Sequence, residues 1–415
     1  MARMSWVLWL FPIFRDRSFR WLWFSNFLVS LVMSMEKLAQ GWLVLETTDS
    51  AFWVGAVAGL MGLGQVGFGA IGGVIADRFD RRQSLSITLF LRGCTAFSMG
   101  ALVFSGQASL VPILAIAFVQ GAIQGVSMPT NNSLIYDLAG RERLVNATVA
   151  RMMALSLSAI PGALIAGLLI SQAGVAWCYF VVSIFAYLSI IPLLAVRSGR
   201  NVLGSQIQSF ARNLREGISY VLRHPRLGPL LVLSVLMETF GFSFHIILPV
   251  MARDVLGVDA TGLGVLSASW NVGAFASILG LAVLRDFKYL GVLMIGAASG
   301  AGIVIILFAV SPWFAVSVGL SMLIGGVLFA YDVTMGSLLQ LLSSDAMRGR
   351  VLGLYSLTFG FTPLGGFIAG AIAAAVNPPF ALGVSGMVII VWTARLFGPM
   401  RRIRGGSSPE TKSTL

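Results

Sequence analysis

The chain has 415 residues, of which 57% are hydrophobic and only 11% charged, whereas a soluble domain carries about 25% charged residues. A polypeptide of this composition, with mean hydropathy +0.89, is solvated by lipid. The formal net charge of +12 does not point to nucleic acid, because the charges sit in short loops between apolar runs, with no basic domain and no base-stacking motif. Cys94 and Cys178 both fall inside apolar runs, so neither a disulfide framework nor a metal site is expected.

The first stretch, Arg3 followed by the apolar Trp6 to Phe14, has the outline of a signal peptide. It lacks the small-residue cleavage pattern and runs straight into Arg15-Asp16-Arg17. It reads as an uncleaved interfacial segment, with Trp6, Trp9 and Phe11 in the headgroup layer. Twelve apolar runs follow, at roughly 19–45, 53–75, 84–104, 110–136, 146–170, 177–196, 227–250, 262–284, 289–310, 313–331, 351–375 and 380–397. Each can cross a bilayer as a helix of about 20 residues. Of the 28 Lys and Arg, Lys37 and Arg92 fall within spans and Arg253 in an outside loop; all others fall on one side if the N-terminus is cytoplasmic. That asymmetry predicts both termini inside. The outside connections are little more than turns. The longest connection, Arg197 to Arg226, is inside, and Phe210, Leu214, Ile218 and Val221 recur in it at helical spacing, predicting an amphipathic helix on the inner membrane face. The expected organisation is a six-helix half over 1–196, a cytoplasmic linker over 197–226, and a second six-helix half with a cytoplasmic tail over 227–415.

The halves carry related stretches at offsets near 200. Ser133-Leu134-Ile135 answers Ser337-Leu338-Leu339, and Ile165-Ala166-Gly167 answers Ile368-Ala369-Gly370. Common offset and common order predict duplicated, pseudo-symmetric halves.

Between the second and third runs lies Gly73-Val74-Ile75-Ala76-Asp77-Arg78-Phe79-Asp80-Arg81-Arg82. Asp77 falls near the end of a helix, an unfavourable place for an anion, with Arg78, Arg81 and Arg82 as the nearest cations. This stretch resembles the loop signature of the major facilitator superfamily, Gly-x-Leu-Ala-Asp-Arg-x-Gly-Arg-Arg. Ile75 replaces the Leu and Asp80 the second Gly. The stretches Gly41-Trp42-Leu43-Val44-Leu45, Leu248 to Gly257, and Arg348-Gly349-Arg350-Val351 resemble the bacterial branch that includes enterobactin and multidrug exporters. The resemblance implies an all-α membrane fold of twelve helices in two pseudo-symmetric six-helix halves, located in a bacterial cytoplasmic membrane. It also implies that Gly73, Asp77, Arg78, Arg81 and Arg82 act as a conformational gate. The second-half counterpart, Leu284-Arg285-Asp286-Phe287-Lys288, is degenerate. Pro161-Gly162 with Gly167, and Gly360 to Gly366 around Pro363, loosely resemble the Gly-Pro antiporter signature, although Ile160 replaces the Gly before Pro161.

Enzyme signatures are absent, and no cofactor is expected. Glu36, Lys37, Arg92 and Glu238 are embedded ionisable residues, each costly in a span and therefore a functional candidate. Glu36 and Lys37 are adjacent, so about 100° apart on a helix, and cannot face one another. Lys37 reads as snorkelling or structurally paired, and Arg92 as packed against a neighbouring acid or carbonyl. Glu238 falls near the middle of its span, with His245 seven residues on and expected on the same face, so the two are a candidate proton-loading pair with Glu36 as the alternative. Gln40, Gln120, Gln124 and Asp332, the last near an inner helix end, join Glu36 and Glu238 as candidate cavity residues. The expected partners are a small-molecule substrate, protons and membrane lipid. The expected function is proton-coupled export of small amphipathic or hydrophobic molecules, drug-like or siderophore-like. A metabolite importer or facilitator, and a non-transporting receptor or assembly protein on the same scaffold, are the alternatives.

Overall fold

The computed structural model describes residues 12–196, 210–283, 290–344 and 347–400. Trp6, Trp9 and Phe11, the degenerate loop 284–288 and the C-terminal tail lie outside the described residues. Among the described residues there is no strand, and twelve helices are long and apolar enough to span a membrane: Arg17–Thr48, Ala51–Arg78, Arg81–Phe104, Leu110–Gly140, Asn146–Ala173, Val175–Leu194, Leu227–Val255, Ala260–Leu281, Leu290–Ala309, Phe314–Leu342, Arg348–Ala375 and Pro378–Phe397.

Local chemistry sets their ends. Asp16 caps the first span by accepting from the amides of Ser18 (2.7 Å) and Phe19 (3.2 Å). Asp80, where the superfamily signature has Gly, caps the third by accepting from Gln83 N at 3.0 Å. Gly140, at φ 67°, breaks the chain between the fourth and fifth spans. The seventh span is longer and less regular than expected. It runs on to Val255 and contains two π segments, Met237–Phe242 and Met251–Val255. Arg253 is therefore in the last helical turn and not in a loop. The tenth span continues to Leu342, ten residues past Asp332. This acid sits about 15 Å inside the inner helix end and is not interfacial. The eleventh span bends at Phe359-Gly360. Pro363 has no amide to offer the Phe359 carbonyl, and that carbonyl is taken instead by Thr362 N in a tighter turn, at 3.4 Å.

The two halves use the same packing device. In each, two spans cross main chain to main chain through glycine. A Cβ on Gly121 or Gly125 would strike the carbonyls of Met61 and Gln65, and one on Gly325 or Gly273 those of Trp270 and Met322. The halves meet each other through a second symmetric pair of crossings. A Cβ on Gly370 would lie 3.0 Å from Gly55 Cα, and one on Gly264 would lie 3.1 Å from Gly167 Cα. Gly167 and Gly370, matched in the duplicated stretches, thus do the same work in opposite halves.

All these inter-half contacts lie in the outer part of the bundle. They continue as Ser171 Oγ to Thr261 Oγ1 at 2.7 Å and as Arg253, which reaches Asp49 at 2.5 Å and the Leu45 carbonyl at 3.1 Å. Further in, contact is lost after Val66 meets Gly360, and Gly67, Gly69, Gly73 and Gly280 have open space where a side chain would point. The inner segments Leu227–Leu236 and Arg348–Thr358 pack within their own half and on the linker. Among the described residues, the halves touch at the end that carries Asp49 and Arg253 and part toward the end that carries the linker helix.

The amphipathic linker helix is present at Phe210–Arg223. Its seat is more specific than a bare membrane face. Gly217 lies against Leu354, Glu216 pairs with Arg350 at 2.9 Å, and the Tyr220 hydroxyl accepts from Ser344 N at 3.3 Å. The helix is thus fastened to the inner end of the second half.

Candidate functional site

The candidate site lies between the first and seventh spans, which run in the same direction. Two contacts set their register, Arg253 on the Leu45 carbonyl and Pro249 against Gly41 (2.8 Å from where a Cβ would stand), and one turn further along each span this register brings His245 level with Lys37. On the N-terminal wall Glu36 is buried and fully engaged. It accepts from Arg92 Nε at 2.9 Å and from Gln120 Nε2 at 2.6 Å. Arg92 also donates to Gln124 Oε1 at 3.2 Å, and Gln40 to Gln120 Oε1 at 3.3 Å. Four sequence candidates therefore converge in one buried network around Arg92, the acid–base pair expected for that arginine. The charges of Glu36 and Arg92 cancel. Lys37 does not join them. Its side chain is open to water although ringed by protein, and it has no hydrogen-bond or ion-pair partner among the described residues.

The opposite wall is acidic. Glu238 is buried within the first π segment of the seventh span and accepts from the Thr362 hydroxyl, in the first turn beyond the bend of the eleventh. Asp332 accepts from the Tyr355 hydroxyl. Neither acid has a cationic partner among the described residues. The expected Glu238–His245 pair is not formed. The π segment between them takes up an extra residue, so the two side chains leave the helix on different faces. Glu238 turns to the eleventh span, while His245 packs edge-on against Trp270 of the eighth, 5.0 Å between ring centres. Trp270 in turn meets Phe329 at 5.8 Å, and its buried indole N–H has no hydrogen-bond partner among the described residues.

The loop motif divides in two. Arg81 pairs with Asp137 and bonds the Ala76 carbonyl at 3.0 Å; Arg82 bonds the Leu194 and Val196 carbonyls, both at 3.1 Å. These two arginines fasten the turn to the fourth and sixth spans of their own half. The expectation that they neutralise Asp77 does not hold, because Asp137 supplies the acid for Arg81. Asp77 and Arg78 are exposed beside Gly73 and its open space, with no partner among the described residues. Sequence reasoning misses Asp137; its nearness to the inner end of the fourth span is the signal that could find it. No group of His, Cys, Asp and Glu suited to a metal occurs among the described residues.

The sequence profile described as transmembrane secretion effector matches residues 10–410. The chain belongs to this family. It is a multi-pass membrane transporter of the major facilitator superfamily. The chain is 24% identical over 395 residues to the enterobactin exporter EntS of Escherichia coli O1:K1 / APEC, covering 94% of each protein. Its fold is similar to that of the nucleoside transporter NupG, with TM-score 0.73, 15% identity and coverage of 92% of this chain and 99% of that one. It is also similar to a bacterial homologue of the human lysosomal transporter Spinster in an inward-facing, occupied conformation, with TM-score 0.70, 15% identity and coverage of 94% and 97%.

Proposed function

We propose that this secretion effector exports small amphipathic or hydrophobic molecules, siderophore-like or drug-like, from the cytoplasm of a bacterium by proton-coupled alternating access, with both termini cytoplasmic. The observation that carries the coupling is the second-half acid cluster. Glu238 and Asp332 each hold a hydroxyl donor and lack a cation, deep in the span region. An uncharged carboxyl is inexpensive to bury there, whereas a carboxylate needs water or a cation. Rocking the halves changes the water available to these acids, so their proton occupancy can differ between the two states. The export direction is supported by the likeness to the enterobactin exporter.

The test is flux in proteoliposomes with and without an imposed pH gradient, paired with proton release from detergent-solubilised protein on substrate addition. Accumulation driven by the gradient, with proton release that Glu238→Gln abolishes, is the expected result. Flux indifferent to the gradient makes the protein a facilitator. Binding without flux makes it a receptor. Undiminished release by Glu238→Gln moves the coupling to Glu36.

A further inference from the structure

Lys37 is about eleven residues from the outer end of the first span, some 16 Å deep. An unpaired ammonium at that depth is expensive unless it faces water or an anion. Its direction is fixed by its neighbours. Gly41, one turn outward, lies against Pro249 of the seventh span, and Ser34, one turn inward, donates to the Ala159 carbonyl of the fifth at 2.9 Å. Lys37 therefore points between the fifth and seventh spans, toward His245 of the other half and not to lipid. The adjacent acid cannot neutralise it, because Glu36 is committed to Arg92 and Gln120. The two acids of the other wall are held by Thr362 and Tyr355. Across from Lys37 stand the His245 and Trp270 rings, with Phe329 behind, and the partnerless Trp270 N–H adds a second donor.

A lone cation opposite an aromatic wall is a recognition pattern for one chemical class. We propose that Lys37 selects substrates that carry an anionic group on a flat aromatic body, the anion seated on the ammonium and the body against His245 and Trp270. This rests on the transporter reading above and names its substrate class. A charge-assisted bond of this kind discriminates an anion from its neutral amide by about tenfold or more.

The test is equilibrium binding to the purified full-length protein of a matched pair of probes, radiolabelled 2-naphthoate and 2-naphthamide. The wild type is expected to prefer the carboxylate by about tenfold or more. Lys37→Met should collapse the ratio to near one, and Lys37→Arg should keep it. Monodisperse elution and an unchanged helical signal check that each variant folds. A wild type that binds both probes equally, or neither, overturns the proposal, as does a preference that survives Lys37→Met. Binding is read without transport. A protein with the carboxylate preference that moves nothing in proteoliposomes therefore refutes the transporter reading and leaves the site intact.

Discussion

Arg92 and Glu36 are the most strongly determined residues in the membrane interior, because each removes the cost of burying the other. Replacing Arg92 by Gln leaves Glu36 buried with only Gln120 to hold it. That should destabilise the protein by about 3–5 kcal/mol, seen as a large fall in thermal midpoint in detergent. Adding Glu36→Gln in the same chain should restore much of the loss. Glu238→Gln has a different signature. The amide can still accept from Thr362, so folding and passive substrate exchange should survive while pH-driven accumulation is lost. His224 gives a third residue-level expectation, outside the spans. Its Nδ1 accepts from the amides of Arg226 and Leu227, both at 3.3 Å, and so caps the seventh span as a neutral ring. Desolvation and the nearby Arg226 charge place its pKa below the usual 6.5. The neutral form is the folded one, so the cap is intact above the ordinary value and lost as pH falls through the lowered one. Amide exchange at Leu227 to Leu230 should speed up on that acid side and not in His224→Asn. Embedded charge is legible in the sequence at Glu36, Arg92 and Glu238, because an ionisable residue inside an apolar run stands out. The same reading makes Lys37 a snorkelling residue, since nothing in a single run tells which way the helix is turned. The seating of Gly41 on Pro249 and the bond from Ser34 to the Ala159 carbonyl decide that.

Span positions follow from hydropathy, but the irregularities inside spans do not. Helical spacing assumes a constant turn, and the π segment at Met237–Phe242 breaks that assumption between Glu238 and His245. The duplicated stretch ending in Gly167 and Gly370 is visible in the sequence, yet its purpose is not. Both glycines turn out to be crossing points between halves. A Val at Gly370 has no room while Gly55 is opposite. Gly370→Val should therefore disfavour the outer-closed arrangement and enrich an outward-open one. Spin labels at Gln107→Cys and Val310→Cys, in a background without Cys94 and Cys178, should report a longer distance across the outer mouth. An unchanged distance distribution would show that the crossing tolerates a side chain.

The proposed transport cycle sets the whole molecule between an outer tie and an inner one. The outer tie is Arg253 with Asp49 and the Leu45 carbonyl. Both side chains reach water, so it contributes about 1 kcal/mol or less. That is still enough to shift a balanced population several-fold, and Arg253→Ala should widen the outer mouth in the same label measurement. The inner tie is not made in this state. Asp77 lies eleven residues inward of Val66, and Gly349 lies eleven inward of Gly360, the residue Val66 meets. Continuing that register sets Asp77 beside the N-terminal turn at Arg348 when the inner side shuts, where a carboxylate is favoured. Asp77→Asn should thus lower cysteine crosslinking across the cytoplasmic side and slow transport, while expression and substrate binding hold. Equal crosslinking in wild type and variant would reduce the motif to a topology device.

The glycine crossings carry one more consequence. Where Gly55 meets Gly370 and Gly167 meets Gly264, backbone lies directly against backbone, with the Phe52 and Phe367 rings meeting beside the first crossing. A toothed interface must unlock many rotamers before it can move. A glycine crossing has fewer to unlock, so the two halves meet at a pair of nearly plain bearings. Friction, and not only balance, is therefore written into these positions. Replacing one bearing glycine by Ala should both disfavour the touching arrangement, as Gly370→Val does, and roughen the contact, so that turnover falls.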